Sequence, residues 1–272
     1  MSEWESTEGE HWAANADRYT RMLVGFGDIV TAAASYRPGE RVLDVGCGNG
    51  DLTLTATRAV GPEGSVHGVD LSPAMLAVAA SRATTEGLEN VTFEAADAAT
   101  FRPDVAGFDV IVSRFGVMFF DDPIEAFAHI RTLMAPGGRL AFACWQELFA
   151  NDWMMVPGAA VAELLPLPEG EDPSAPGAFA FADAARITGV LADAGFHDPS
   201  ASPTTAELWM GDDAIEAARF LRTTGLGRAV FDGAPPDLEQ EAVARATAAM
   251  VPYESAGGVL LGGAAWLVTA RA

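Results

Sequence analysis

Arg41-Val42-Leu43-Asp44-Val45-Gly46-Cys47-Gly48-Asn49-Gly50 is the stretch that decides the fold. A short apolar run interrupted by one carboxylate passes into three alternating glycines, and Asp51 to Val60 then takes up helical spacing. That is a buried strand, a tight loop and a helix. Glycine is needed in the loop because the backbone must turn sharply and let a ligand approach where a Cβ would collide. The helix start beyond it offers free N–H groups to an anionic part of that ligand. Asp44 is costly inside an apolar strand unless it is paired or hydrogen-bonded. Its natural partners are the loop N–H groups or a ligand ammonium group.

Outward from this stretch, short apolar runs alternate with longer helical patterns, the signature of a parallel sheet with crossover helices. Ser65 to Val69 is the second strand, and Ser72 caps a helix from Pro73 to about Thr85. Val91 to Glu94 and Asp109 to Ser113 are the third and fourth strands. Asp122 caps a helix from Pro123 to about Met134, which the Pro136-Gly137-Gly138 turn ends before the fifth strand, Arg139 to Trp145. Beyond Trp145 the pattern loosens. Asn151 to Pro176 holds a short apolar stretch, then Pro166, Pro168, Pro173 and Pro176 among Glu169, Glu171 and Asp172, and reads as a loop or lid. Ala182 to Ala194 is helical, Thr204 to Met210 is a sixth strand, about Asp213 to Thr224 and Asp237 to Val251 are helices, and Ala264 to Ala270 is the last strand. The expected fold is α/β: a Rossmann-like, doubly wound, mostly parallel seven-stranded sheet with helices on both faces and a helical cap. The expected organisation is an N-terminal helical cap segment over residues 1–36 and a ligand-binding domain over 37–272. Cap or lid insertions fall at about 146–181 and 212–256.

Asp70 closes the second strand beside the glycine loop, where the loops of two adjacent parallel strands share one crevice. An acid there can accept hydrogen bonds from both ribose hydroxyls of a nucleoside. A dinucleotide cofactor would use the same acid, but its glycine pattern wants a third glycine or alanine where this chain has Asp51. An anion beside the phosphate site favours a nucleoside without phosphates. Asp97 follows the third strand and Ser113 with Arg114 the fourth, along the same carboxyl edge. Asp97 can accept from an adenine amino group while the Ala98 N–H donates to a ring nitrogen.

With these features the chain resembles the class I methyltransferases that use S-adenosylmethionine. The likeness rests on Leu43 to Gly50, Gly68-Val69-Asp70-Leu71-Ser72-Pro73-Ala74-Met75-Leu76, Ala96-Asp97-Ala98, Phe108 to Val112 and Ala135-Pro136-Gly137-Gly138, in the family's order. Ser113-Arg114-Phe115-Gly116 and Phe119-Phe120-Asp121-Asp122-Pro123 add the flavour of quinone-biosynthesis and actinobacterial small-molecule methyltransferases. The resemblance implies S-adenosyl-L-methionine as cofactor. It sets Gly46 and Gly48 toward the methionine portion, Asp70 at the ribose, Met75, Asp97 and Ala98 at the adenine, and Ser113 near the sulfonium, with Leu71 and Asp44 also among the cofactor-binding residues.

Before the first strand, His11, Trp12 and Tyr19 stand where family members often close a helix over the cofactor. Tyr19 can face the sulfonium, since aromatic faces attract cations. His11 and His129 are base candidates only because histidine titrates in the right range, and His129 reads as exposed in mid-helix. No Ser-His-Asp or metal-ligand constellation stands out, and no catalytic residue is assigned. The acceptor is expected to be a small hydrophobic or aromatic molecule, lodged among Phe119, Phe120, Trp145, Phe149, Trp153, Met154 and Met155.

Composition narrows the partners. The chain has 272 residues and a formal net charge of −22, and its 16 basic residues are all Arg. Such a surface repels nucleic acid and anionic membranes. Met1 to Glu10 carries four Glu and no secretory pattern, so a cytoplasmic protein is expected. Cys47 and Cys144 read as reduced, buried thiols. A homodimer is an option these residues leave open. A nicotinamide-dependent oxidoreductase on a similar sheet and a non-catalytic cofactor-binding scaffold protein are the alternatives.

Overall fold

The computed structural model describes residues 3–166 and 175–272. Pro168, Glu169, Glu171, Asp172 and Pro173, part of the expected loop or lid, lie outside the described residues. The chain opens with α1 (Thr7–Ala14) and α2 (Ala16–Ala34), then alternates β1 (Arg41–Val45), α3 (Asp51–Val60), β2 (Ser65–Asp70), α4 (Pro73–Thr85), β3 (Val91–Ala95), β4 (Phe108–Arg114), α5 (Pro123–Thr132) and β5 (Met134–Trp145). It continues through α6 (Asp152–Val161), α7 (Ala184–Asp193), β6 (His197–Gly211), α8 (Ala214–Thr223), α9 (Gly225–Phe231), α10 (Pro236–Met250), β7 (Glu254–Ser255) and β8 (Gly258–Arg271).

The sheet order is β3-β2-β1-β4-β5-β8-β6, with the two-residue β7 pairing β8 as an eighth strand. The pairs β3-β2, β2-β1, β1-β4 and β4-β5 are parallel, whereas β8 runs antiparallel to both β5 and β6. The chain winds outward from β1 in one direction through β2 and β3, then returns to β4 on the other side. The crevice at that reversal, outside the carboxyl ends of β1 and β4, is where open α/β sheets take ligands.

Local chemistry sets the element ends. Ser72 Oγ accepts from the Met75 N–H at 3.3 Å with Pro73 opening α4, and Asp122 caps α5 by accepting from Glu125 N–H at 3.0 Å. α2 turns Tyr19, Met22, Leu23, Phe26 and Val30 inward, an apolar stripe at helical spacing that packs on β4, β5 and β6. Arg139 of β5 rivets its end, donating to the carbonyls of Ala34 and Ser35 and to both oxygens of Glu40.

Several boundaries differ from the sequence reading. α5 ends at Thr132, and β5 already pairs at Met134 with Phe108 through a bulge, so the Pro136-Gly137-Gly138 turn lies within the strand's span. β6 and β8 run far longer than expected. β6 holds Pro199 and Pro203, which mask its strand character but are tolerated on an edge strand. β8 holds Gly262 and Gly263, where a Cβ on Gly263 would collide with a Leu208 methyl. Pro157 lies inside α6, within the stretch read as a loop, and α9 is an added helix whose Gly225 and Gly227 hide it.

Candidate functional site

Left-handed backbone lies at the carboxyl ends of β1 and β4. Gly46, Gly48 and Gly50 take φ of +65°, +53° and +86°. A Cβ on Gly46 would sit 2.7 Å from Gly116 Cα, so the loops after β1 and β4 press backbone to backbone. Ser113, fully buried at the end of β4, holds this contact by accepting from the Gly116 N–H at 3.2 Å. Between them Phe115 takes φ +65°, a region costly for a residue with a Cβ. Its ring stacks on Trp145 at 3.9 Å, with Phe26 edge-on to both.

Asp70 ties the first two loops together. Only 9% exposed, it accepts from the Gly48 N–H at 2.8 Å through Oδ2 and from the Ser72 N–H at 2.9 Å through Oδ1. Burial pushes its carboxyl up, against the pull of those N–H groups. The Leu71 N–H also points to it, and since a carboxylate has about four lone-pair sites, about one stays open to a further donor. Leu71 is half-buried beside it, and Met75 is buried in the first turn of α4, its sulfur 3.6 Å from where a Gly48 Cβ would stand.

Asp44 is 1% exposed, and its partner is Thr53 of α3, whose hydroxyl donates to Oδ2 at 2.6 Å. The sequence reading looked to the loop N–H groups or a ligand ammonium instead. Thr53 is the third residue of α3, and its hydroxyl reaches back to the strand that precedes it. Burial pushes Asp44 up to about 7, with Asp70 and Asp51 adding and Thr53 and Arg114 opposing. Asp51, read only as an anion beside the loop, is a hub: it accepts from Thr20 at 2.7 Å, Arg82 at 3.0 Å and Arg114 at 2.7 Å. Burial would raise its pKa, but Arg114, Thr20 and Arg82 together hold it below the usual range. Nothing in the local sequence marks this hub, since its four members lie on α2, α3, α4 and β4.

Tyr19 and Trp12 face Gly46, Gly48, Asn49 and Asp44 across a cavity of about 60 Å³. Tyr19 is 4% exposed and stacks on Trp12 at 3.6 Å with planes 4° apart, and its hydroxyl meets His11 Nε2 at 3.1 Å. Asn49 donates from Nδ2 to the Trp12 carbonyl at 3.2 Å, while its buried Oδ1 has no partner. An unmet acceptor, two buried carboxylates and a loop too tight for a Cβ suit a ligand with an ammonium group and ribose hydroxyls, so the residues present fit S-adenosylmethionine.

The structure brings Tyr19, Asp44, Gly46 and Gly48 to one cavity, with Asp70, Met75 and Ser113 holding its walls. Asp97 stands apart as an exposed turn residue accepting from the Ala99 N–H at 2.9 Å, and Ala98 is buried next to it. Of the expected acceptor chamber, Trp145 and Trp153 meet at 5.4 Å and Phe119 meets Trp4 at 5.0 Å. Phe149 is 77% exposed and belongs to no chamber. His129 is half-buried, not exposed, with Nε2 2.7 Å from the Phe101 carbonyl oxygen.

A doubly wound sheet with a glycine loop and an acid ending its second strand defines a nucleoside-cofactor domain of the class I methyltransferase type. Residues 37–163, just under half of the chain, match the family model described as a methyltransferase domain. The chain is similar to the aklanonic acid methyltransferase DauC of a Streptomyces species, 38% identical over 122 residues, which cover 45% of this chain and 52% of that protein. It is also similar to the ubiquinone/menaquinone biosynthesis C-methyltransferase UbiE of Teredinibacter turnerae, 40% identical over 105 residues, 38% of this chain and 42% of that one. The matches thus span about half the length of these curated relatives. Among solved structures, a SAM-dependent methyltransferase from Aquifex aeolicus shares the fold: TM-score 0.54 at 15% identity, covering 95% of this chain and 97% of that one. Among the described residues no helix is long and apolar enough to cross a membrane.

Proposed function

We propose that the protein transfers a methyl group from S-adenosylmethionine to a small hydrophobic or aromatic molecule. The carrying observation is the bond from the Gly48 N–H to Asp70, which fixes the glycine loop beside a buried carboxylate that can accept a further donor. In this reading Asp70, with Leu71, takes the ribose, and Met75 with Asp97 and Ala98 flanks the adenine. Asp44 and Asn49 receive the ammonium end along Gly46 and Gly48, and Tyr19 and Ser113 stand near the sulfonium. Bound there, the cofactor supplies a methyl group already activated for displacement. The chain's own residues align the partners and keep water out. Trp12, Tyr19, Phe115 and Trp145 provide the dry aromatic wall, which suits an apolar acceptor. The names of the two relatives, one acting on aklanonic acid and one in quinone biosynthesis, support that class.

Residues 1–36 act as the helical cap and 37–272 as one methyltransferase domain with insertions at about 146–181 and 212–256. The excess of acids over arginines speaks against nucleic acid and anionic membranes as partners and suits a cytoplasmic enzyme. A homodimer is compatible with this reading. The test is calorimetry with S-adenosylmethionine against nicotinamide cofactors, followed by an acceptor screen with mass detection of an added CH₂. Binding of the first alone, with a methylated product, is the expected result. Preference for a nicotinamide cofactor would replace the reading with an oxidoreductase, and binding without any product across the screen would leave a scaffold protein.

A further inference from the structure

We propose that Tyr19 and His11 form a proton relay that takes the hydroxyl proton of the acceptor, making that acceptor a planar aromatic compound with an acidic hydroxyl; this rests on the methyl-transfer reading above. Tyr19 lines the cavity beside Trp12, Gly46 and Phe115. Its ring belongs to a chain of contacts that runs from Phe119 through Trp4, Trp12 and Tyr19 to Phe220, of which Trp12 and Tyr19 line the cavity. Behind it, His11 Nε2 lies 3.1 Å from the Tyr19 hydroxyl, and the imidazole stacks on Phe220 at 5.8 Å. Tyr19 thus touches the cavity on one side and a base on the other.

The surroundings leave His11 free to accept. Partial burial lowers its pKa, which favours the neutral imidazole that can accept a proton. The facing groups are Tyr19 of α2 and Phe220 of α8; on the packed elements Arg18 pairs with Glu216 and Glu8 of α1 with Arg228 of α9, while α1 also carries Glu10 and α8 Arg219. Burial raises the Tyr19 phenol, so it does not persist as an anion and must gain one proton as it gives another. As the acceptor oxygen attacks the methyl carbon, its proton passes to the Tyr19 oxygen while the Tyr19 proton passes to His11 Nε2. The O–C bond forms as the C–S bond breaks, and the C–S electron pair stays on sulfur, turning the sulfonium into a thioether.

The same arithmetic sets the acceptor class. A simple phenol titrates at about 10 and an ordinary histidine at about 6.5, so transfer between them is uphill by more than about three units, and the lowered His11 widens the gap. A hydroxyl conjugated to a carbonyl, as in a hydroxyquinone, closes most of that gap. An aliphatic alcohol does not.

The experiment is a visible-absorbance titration of the full chain with alizarin, a dihydroxyanthraquinone whose colour reports its ionisation, run without cofactor. Wild-type protein is expected to lower the apparent pKa of the bound dye by about one unit, roughly tenfold more anion at a given pH. H11Q keeps a side chain that can hold the Tyr19 hydroxyl but cannot take its proton, and it should lose the shift. Y19F keeps the ring stack and should lose it equally, with the double variant no worse than either single one. A merely structural role predicts no change in H11Q. An equal anion fraction in H11Q and wild type, or no binding of the dye, would overturn the relay. Titration of wild-type protein with S-adenosylhomocysteine separates the two claims: failure there, with the dye shift intact, removes the methyl-transfer reading alone.

Discussion

The stretch from Arg41 to Trp145 and the stretch from Gln146 to Ala272 build one sheet by different means. In the first, the loops after β1, β2 and β4 are held through their backbones: Asp70 takes the N–H groups of Gly48 and Ser72, and Ser113 takes that of Gly116. In the second, the helices around β6 and β8 are joined by side chains, such as the ion pairs of Arg222 with Glu239 and Arg245 with Glu163. Backbone constraints fix one geometry, whereas surface side-chain pairs can be exchanged at little cost. Under the proposed function, the first stretch suits an unchanging cofactor and the second suits a variable acceptor.

Substitutions can break that contrast, beginning with Asp44. Its folded pKa of about 7 stands above the ordinary 3.8, so folding takes up a proton between those values. Stability therefore falls as pH rises from about 4 to about 7, and the cost is complete above 7. D44N lacks this term. Urea unfolding should show the stability gap between D44N and wild type shifting by about 3 kcal/mol in favour of the variant from about pH 4.5 to about pH 8. A gap that stays flat would mean Asp44 is not held in a costly site.

The next effect is smaller and purely geometric. G46A adds a Cβ where φ is +65° and Gly116 Cα would lie 2.7 Å away, and it should cost about 2 kcal/mol in thermal unfolding. Smallest is R245A. Its guanidinium pairs with Glu163 at 3.1 Å and Glu241 at 2.8 Å while 39% exposed, and its loss should cost less than about 1 kcal/mol. If R245A proved the more damaging of the two, the contrast between backbone-held and side-chain-held regions would be inverted.

The same division explains what could be read in advance. From β1 to β4, apolar runs, caps and glycines are local signals, and α3 and α4 fall on the residues their spacing names. In the later part β6 carries prolines and β8 glycines, so neither announces its length, and the glycines opening α9 resemble a break. At the site, the positions of Asp44, Asp70 and the glycines follow from a strand running into a loop. The Asp51 hub and the pairing of Tyr19 with His11 depend on how α1 and α2 settle on the sheet, which no local pattern encodes.

The central claim is that Asp70 and the glycine loop grasp an adenosyl group. Calorimetric titration of wild type and D70A with S-adenosylhomocysteine tests it most directly, with the melting curve of D70A confirming a folded protein. Losing hydrogen bonds to an ionised acceptor should weaken binding by about 2 to 4 kcal/mol, roughly 30- to 1000-fold. A folded D70A that binds as tightly as wild type would contradict the account.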